Sequence, residues 1–164
     1  MEYEGVFFWH HTGPYGFLSN WYPAEFTIDG VTYRDTEQYF MAQKAIRFGD
    51  TARLAEIMAA EDPATYRNLG RFVENYDPAV WNAVRYEVMK TGNRAKFAQH
   101  PDLRQKLLAT GDALIAEASP RDCIWGIGYG AERARLTPPS QFRGQNLQGR
   151  LLMELREEFR IHAS

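Results

Sequence analysis

Glu37 and Lys44 stand seven positions apart in DTEQYFMAQKAIR, residues 35–47. On an α-helix that spacing puts both side chains on nearly one line, with Met41 between them and Phe40 beside it. A rise of about 1.5 Å per residue separates them by roughly 10 Å along the axis, too far for a direct ion pair. An anion and a cation set apart by apolar and aromatic surface could grip the two ends of one small ligand. The competing reading is an ordinary surface helix, with Glu37 near its positive end and Lys44 in water. The helix start is written locally: Asp35 or Thr36 can cap, and Gln38, three residues after Asp35, approximates a capping box.

A second unusual stretch is DCIWGIGYG, residues 122–130. An acid, Asp122, a tryptophan, Trp125, and alternating glycines suit a ligand that stacks on a ring and approaches bare backbone. The glycine spacing fits neither a dinucleotide fingerprint nor a P-loop, and a packed tryptophan beside a tight turn would explain it equally well. Asn146, after Gly144-Gln145, opens the last helix, where it can cap or where free N–H groups can meet a phosphate or a carbonyl. Arg71, in NLGRFV, could offer a guanidinium to phosphate, although an exposed arginine after a helix is commoner. The histidines are scattered and the serines lack a nucleophile-elbow context, while Cys123 has no evident activating base. Acyl transfer and metal hydrolysis are therefore set aside. No metal and no cofactor are expected.

With 164 residues the chain is expected to form one domain with a real core. Its formal charge of −2 demands neither a nucleic-acid nor a membrane partner. The single cysteine cannot form an internal disulfide, and no Cys/His spacing fits zinc. Neither a signal peptide nor a membrane-spanning stretch is recognisable, so a soluble, cytoplasmic protein is expected.

The elements that must position these residues follow from turn and cap signals. Phe26–Ile28 and Val31–Tyr33 flank Asp29-Gly30, which fits a type I′ hairpin pairing Ile28 with Val31 and Phe26 with Tyr33. Asp50, Asp62-Pro63 and Asp77-Pro78 are helix starts. The last of these opens a long helix towards Gln99, which Thr91-Gly92 could kink or split. A helix from Pro101 to Ala109 is closed by Gly111. Ala113–Ala116 is a strand or a helix end. Residues 121–144 read as loop, and a final helix runs from Asn146 to about Arg160 with a leucine stripe. The fold class is α+β and helix-dominated, with a small antiparallel β element near the N-terminus.

Several blocks in order resemble one family. GPYGFLSNWYPAEFTIDGVTYRDTEQYFMAQKA is similar to the first block of the NADAR domain, the YbiA-like family. LGR at 69–71, VM-x6-KF-x-Q at 88–99, LLATGD at 107–112, DCIWGIG at 122–128 and GQN-x2-G-x2-LM-x2-R at 144–156 resemble the later blocks. Together they span almost the whole chain, residues 1–164, as a single domain of this type. Phe142, Gln148 and His100 depart from the usual Trp, Leu and Asn, and the segment 131–141 is variable in composition.

The resemblance implies an N-glycosidase that hydrolyses a C1–N bond on ribose. The implied substrates are the phosphoribosylamino-pyrimidine intermediates of riboflavin biosynthesis, with release of ribose 5-phosphate. The alternatives are removal of ADP-ribose from guanine in DNA, against which the near-neutral charge weighs, and non-catalytic binding of ADP-ribose or another nucleotide. The implied partner is thus a small ribosylated nucleotide, with ADP-ribosylated DNA as the alternative, and no membrane. Such a bond breaks with positive charge building on the sugar, so one carboxylate stabilises that charge and an acid protonates the departing nitrogen. Glu37 and Asp122 are the carboxylates in the matching motifs. Lys44 either holds phosphate as an ammonium or, desolvated, attacks C1 of a ring-opened ribose. Trp125 would stack on the base, with Gly126 and Gly128 letting the ligand approach. Asn20 and Asn146 would bind ribose or base, and Arg71 phosphate.

Overall fold

Asp29 and Gly30 take left-handed backbone, φ 50 and 80, in the computed structural model, which describes residues 1–163. Only a type I′ turn needs two such residues, and it matches the twist of the strands it joins. Strands β2 (Phe26–Ile28) and β3 (Val31–Tyr33) pair antiparallel in the register the turn dictates, Ile28 with Val31 and Phe26 with Tyr33. The hairpin runs directly into helix α1, Thr36–Arg47. Two compact units make up the chain, residues 23–100 and residues 1–22 together with the chain from Pro101 onward.

In the unit spanning residues 23–100, four aspartates start four helices. Asp35, Asp50, Asp62 and Asp77 cap α1, α2 (Thr51–Ala59), α3 (Pro63–Gly70) and α4 (Pro78–Gln99), each accepting a backbone N–H of the first turn. Helix α1 is the hub and packs on the other three. Its buried face, with Tyr39, Ala42 and Ala45, meets Phe26, Tyr33, Ile57 and Tyr66. Two glycines set the spacing. A Cβ on Gly70 of α3 would lie 2.2 Å from the sulfur of Met41, and one on Gly92 of α4 would lie 2.7 Å from the Tyr39 ring. Gly92 therefore marks close helix approach, and α4 runs through it as one helix instead of being split. The end of α4 is stitched to the hairpin by Gln99, whose side chain bonds both the N–H and the C=O of Thr27.

The other unit is built around a parallel pair: the apolar run at residues 5–9 reads as a strand, but local sequence does not announce its partner. Strand β1 (Val6–Phe8) lies beside β4 (Ile115–Glu117) in the register Val6 to Ile115. The run at 113–116 is thus resolved as a strand. Helices α5 (Pro101–Ala109), α6 (Ala131–Arg135) and α7 (Leu147–His162) complete it, and α6 interrupts a region that reads as loop. Leu151, Leu152 and Leu155 of α7 are fully buried. Gly149 lets α7 press against β4, for its Cβ would fall 2.1 Å from the Ile115 carbonyl oxygen. No helix among the described residues is long and apolar enough to cross a membrane.

Candidate active site

Glu37 lies in the first turn of α1 and is 8% exposed, so the surface-helix reading fails at its first residue. The turn around it is fixed from both sides. Asp35 accepts the Gln38 N–H, while the Gln38 side chain accepts the N–H of Arg34 and donates to the carbonyl of Ile57. This is a variant of the capping box, the reciprocal bond reaching one residue further back than Asp35.

Two turns on, the same uninterrupted helix presents Lys44, which is partly buried. Its Nζ sits 4.5 Å from the centroid of the Tyr76 ring. Phe48 braces that ring edge-on at 5.5 Å, and Asp50 accepts the N–H of Glu74 at 2.9 Å, holding the segment that carries Tyr76. Burial pulls Lys44 below the ordinary lysine range. Arg71 is exposed at the end of α3, directly after the Gly70 that packs on Met41 of α1. Glu37 and Lys44 thus share one helix, and Arg71 follows the residue of α3 that packs on Met41 between them.

The remaining candidates are organised by the loop 122–128. One Asp122 carboxylate oxygen accepts the N–H groups of Ile124 and Trp125, both at 2.8 Å, and so folds the loop that carries Trp125. The amides of Gly144, Gln145, Asn146, Leu147 and Gln148 donate in turn to the carbonyls of Ile127, Cys123, Gly126, Ile124 and Trp125. The start of α7 therefore spends its N–H groups on this loop and offers no open anion cradle. Asn146 does not cap with its side chain either. It adopts φ 54, and its amide donates to the Ile115 carbonyl and accepts the Glu117 N–H, clamping β4. At Gly126 a Cβ would meet the Asp122 and Glu117 carbonyls at 2.9 and 3.0 Å, and at Gly128, with φ 76, a Cβ would lie 2.8 Å from Cys123 Sγ. Protein atoms occupy the space beside both glycines, so the loop itself requires them.

Asn20 is buried and donates to the Gln148 side chain at 2.9 Å. Gln148 also gives its backbone N–H to Trp125, so it couples Asn20 to the tryptophan loop. Among the described residues no group of three or more His, Cys, Asp or Glu side chains could hold a metal.

Three residues of consequence escape a sequence reading. Tyr76 carries no local signal. Gln148 stands out only as a departure from the family pattern. Lys96 lies inside the KF-x-Q block, yet nothing there tells that it is fully buried, with a pKa pulled down to about 7 by desolvation.

A family model described as the NADAR domain matches residues 7–160. An N-glycosidase of Acanthamoeba polyphaga mimivirus is 42% identical over 146 residues, 86% of this chain and 86% of its own. N-glycosidase YbiA of Escherichia coli is 35% identical over 161 residues, covering 98% of this chain and 92% of that protein. A riboflavin biosynthesis protein of Vibrio vulnificus is 35% identical over 160 residues, and this chain spans only 40% of its length. The NMR structure of the Escherichia coli YbiA protein is similar with a TM-score of 0.80 at 34% identity, over 96% of this chain and 86% of that one. On these matches and the shared helical architecture, the chain belongs to the NADAR domain family.

Proposed function

We propose that the chain is an N-glycosidase acting on ribosylamine nucleotides, with phosphoribosylamino-pyrimidines of riboflavin biosynthesis as substrates and ribose 5-phosphate as product. Relatives named N-glycosidases match nearly end to end, and one long relative bears a riboflavin biosynthesis name. The observation that carries the chemistry is Lys44, an amine drawn from water beside an aromatic face and shifted towards its neutral, nucleophilic form.

The reaction runs in two halves. Opening of the ribose ring leaves C1 doubly bonded to the nitrogen of the base. The Lys44 amine adds to C1, the bond from C1 to the base nitrogen breaks, and a carboxylic acid supplies the proton that leaves with the base. Water then adds to the lysine–sugar imine, the C1–lysine bond breaks, and the sugar departs as its aldehyde, which closes. One water is consumed and the lysine is restored. Glu37 and Asp122 are the two carboxylates of the reaction, one stabilising charge on the sugar and one protonating the base. Asp122 retains a second oxygen beyond the one that folds its loop. Trp125 stacks on the heterocycle, Asn20 and Asn146 bound the sugar and base, Gly126 and Gly128 shape that loop, and Arg71 meets the phosphate.

Incubating the protein separately with the two phosphoribosylamino-pyrimidines and with ADP-ribosylated guanine in DNA, and measuring which loses its sugar, tests the reading. Release of ribose 5-phosphate from a pyrimidine is expected. Release of ADP-ribose alone would move the assignment to the DNA substrate, and release from none would leave a nucleotide-binding module.

A further inference from the structure

Three ionisable side chains beneath the first turn of α1 take no part in the steps above. Asp35, 3% exposed, gives one oxygen to the Gln38 N–H and accepts the Tyr66 hydroxyl with the other. Tyr66 comes from α3 and is fully buried. Lys96, from α4 and also fully buried, lies near enough for its charge to favour ionised Asp35. Asp35 is hydrogen-bonded directly to Tyr66 of α3, and the charge of Lys96 on α4 acts on the same carboxylate.

Capping alone does not need this. A serine or asparagine caps as well as an aspartate and carries no charge into the core. Burial pushes the Asp35 carboxyl up and pulls Lys96 down, so both charges are held against a desolvation cost that apolar side chains of similar volume would avoid. What the arrangement does provide is a fixed helix end. Glu37 sits between Asp35 and the doubly bonded Gln38, so the backbone from which its side chain leaves is held in place.

We infer that Asp35, Tyr66 and Lys96 form a buried positioning unit that holds the first turn of α1 in the orientation from which Glu37 acts on the sugar. The inference rests on the N-glycosidase reading. None of the three touches substrate. Besides Asp35, the ionisable groups acting on Tyr66 are Glu37 on the first turn of α1 and Arg34 just before it, while Lys96 acts on Asp35.

Tyr66→Phe and Lys96→Met test it, assayed well below the melting temperature of each variant. Both are expected to lower kcat by roughly tenfold or more while KM stays within about twofold, because positioning acts on the chemical step. A second readout separates this from simple loss of structure. The Tyr66 hydroxyl and the Lys96 ammonium both favour ionised Asp35, so removing either moves the acid limb of the kcat profile, the steeper fall below the rise set by Lys44, to higher pH. A merely structural role would lower the melting temperature and the active fraction but leave that limb in place. If Lys96→Met does not fold, Tyr66→Phe carries the test alone, since it removes one oxygen and keeps the ring. Unchanged kcat and an unmoved acid limb in Tyr66→Phe, with an active wild type, would overturn the inference and leave the N-glycosidase reading standing. A wild type that releases no sugar from any ribosylated substrate would overturn both.

Discussion

Lys44 Nζ stands 4.5 Å from the centroid of Tyr76, and that ring supplies part of the burial that disfavours the ammonium. A ring face also attracts a cation, while burial lowers the Lys44 pKa by disfavouring the charged form. If the neutral amine attacks C1, turnover rises as pH climbs through the folded pKa of Lys44, which lies below 10.5. Tyr76→Ala admits water, raises that pKa, and should move the rise of the pH–rate profile to higher pH, whereas Tyr76→Phe should leave it nearly in place. A profile indifferent to both substitutions would remove Tyr76 from the account.

Asp122 has two separable duties. Its oxygen folds the loop by accepting the Ile124 and Trp125 N–H groups, and an asparagine oxygen can accept the same two bonds. Asp122→Asn should therefore keep the melting temperature near that of the wild type while lowering kcat by about 10²-fold or more, the range for a general acid or base. Asp122→Ala should lose both stability and turnover. Full activity in Asp122→Asn would confine the residue to loop architecture.

Gly149 reverses the usual expectation for a helix. Glycine to alanine inside a helix ordinarily stabilises by about 1 kcal/mol. Here the new Cβ would press on the Ile115 carbonyl oxygen and on the Asn146 amide, at 2.1 and 2.4 Å, and the nearer neighbour is backbone that cannot rotate away. Gly149→Ala should destabilise by roughly 1–3 kcal/mol in chemical denaturation, as overpacking does. A variant as stable as the wild type would show that α7 can shift without cost.

Lys96 links stability to pH. Its folded pKa is about 7 against an ordinary 10.5, so between those values the unfolded chain holds a proton that the folded chain has released. Stability from this group therefore rises as pH rises across that window, with a limiting slope of about 1.4 kcal/mol per pH unit. Asp35, raised by burial, works in the opposite sense in acid, where its contribution is lost as pH climbs through its folded value. Urea titrations at several pH values should give a wild-type curve that steepens above neutrality and a flatter one for Lys96→Met. Parallel curves would mean that the lysine is not desolvated as described.

What the sequence made legible is what short-range chemistry determines. Asp29-Gly30 prescribes a turn type, the turn prescribes the register, and four aspartates mark four helix starts, all within a few residues of their effect. The apolar runs at 5–9 and 113–116 each hinted at a strand, but their pairing was illegible because the partners lie more than 100 positions apart. Gly92 looked like a helix breaker because its reason, the Tyr39 ring, belongs to another helix. The motif residues Glu37, Lys44 and Asp122 were legible through their blocks. Their supports were not, since Tyr76, Lys96 and Gln148 gain meaning only from partners brought by the fold. Asn146 shows the converse. A residue typical of a helix cap turns out to clamp a strand.

The most direct test of the central claim is borohydride trapping. Protein is incubated with a phosphoribosylamino-pyrimidine, reduced with borohydride, and its mass is measured alongside Lys44→Ala and Lys44→Arg. A pentose-phosphate adduct that maps to Lys44 is expected on the wild type, with no adduct and no release of ribose 5-phosphate from either variant. Wild-type release by Lys44→Ala, or an adduct that persists without Lys44, would contradict it.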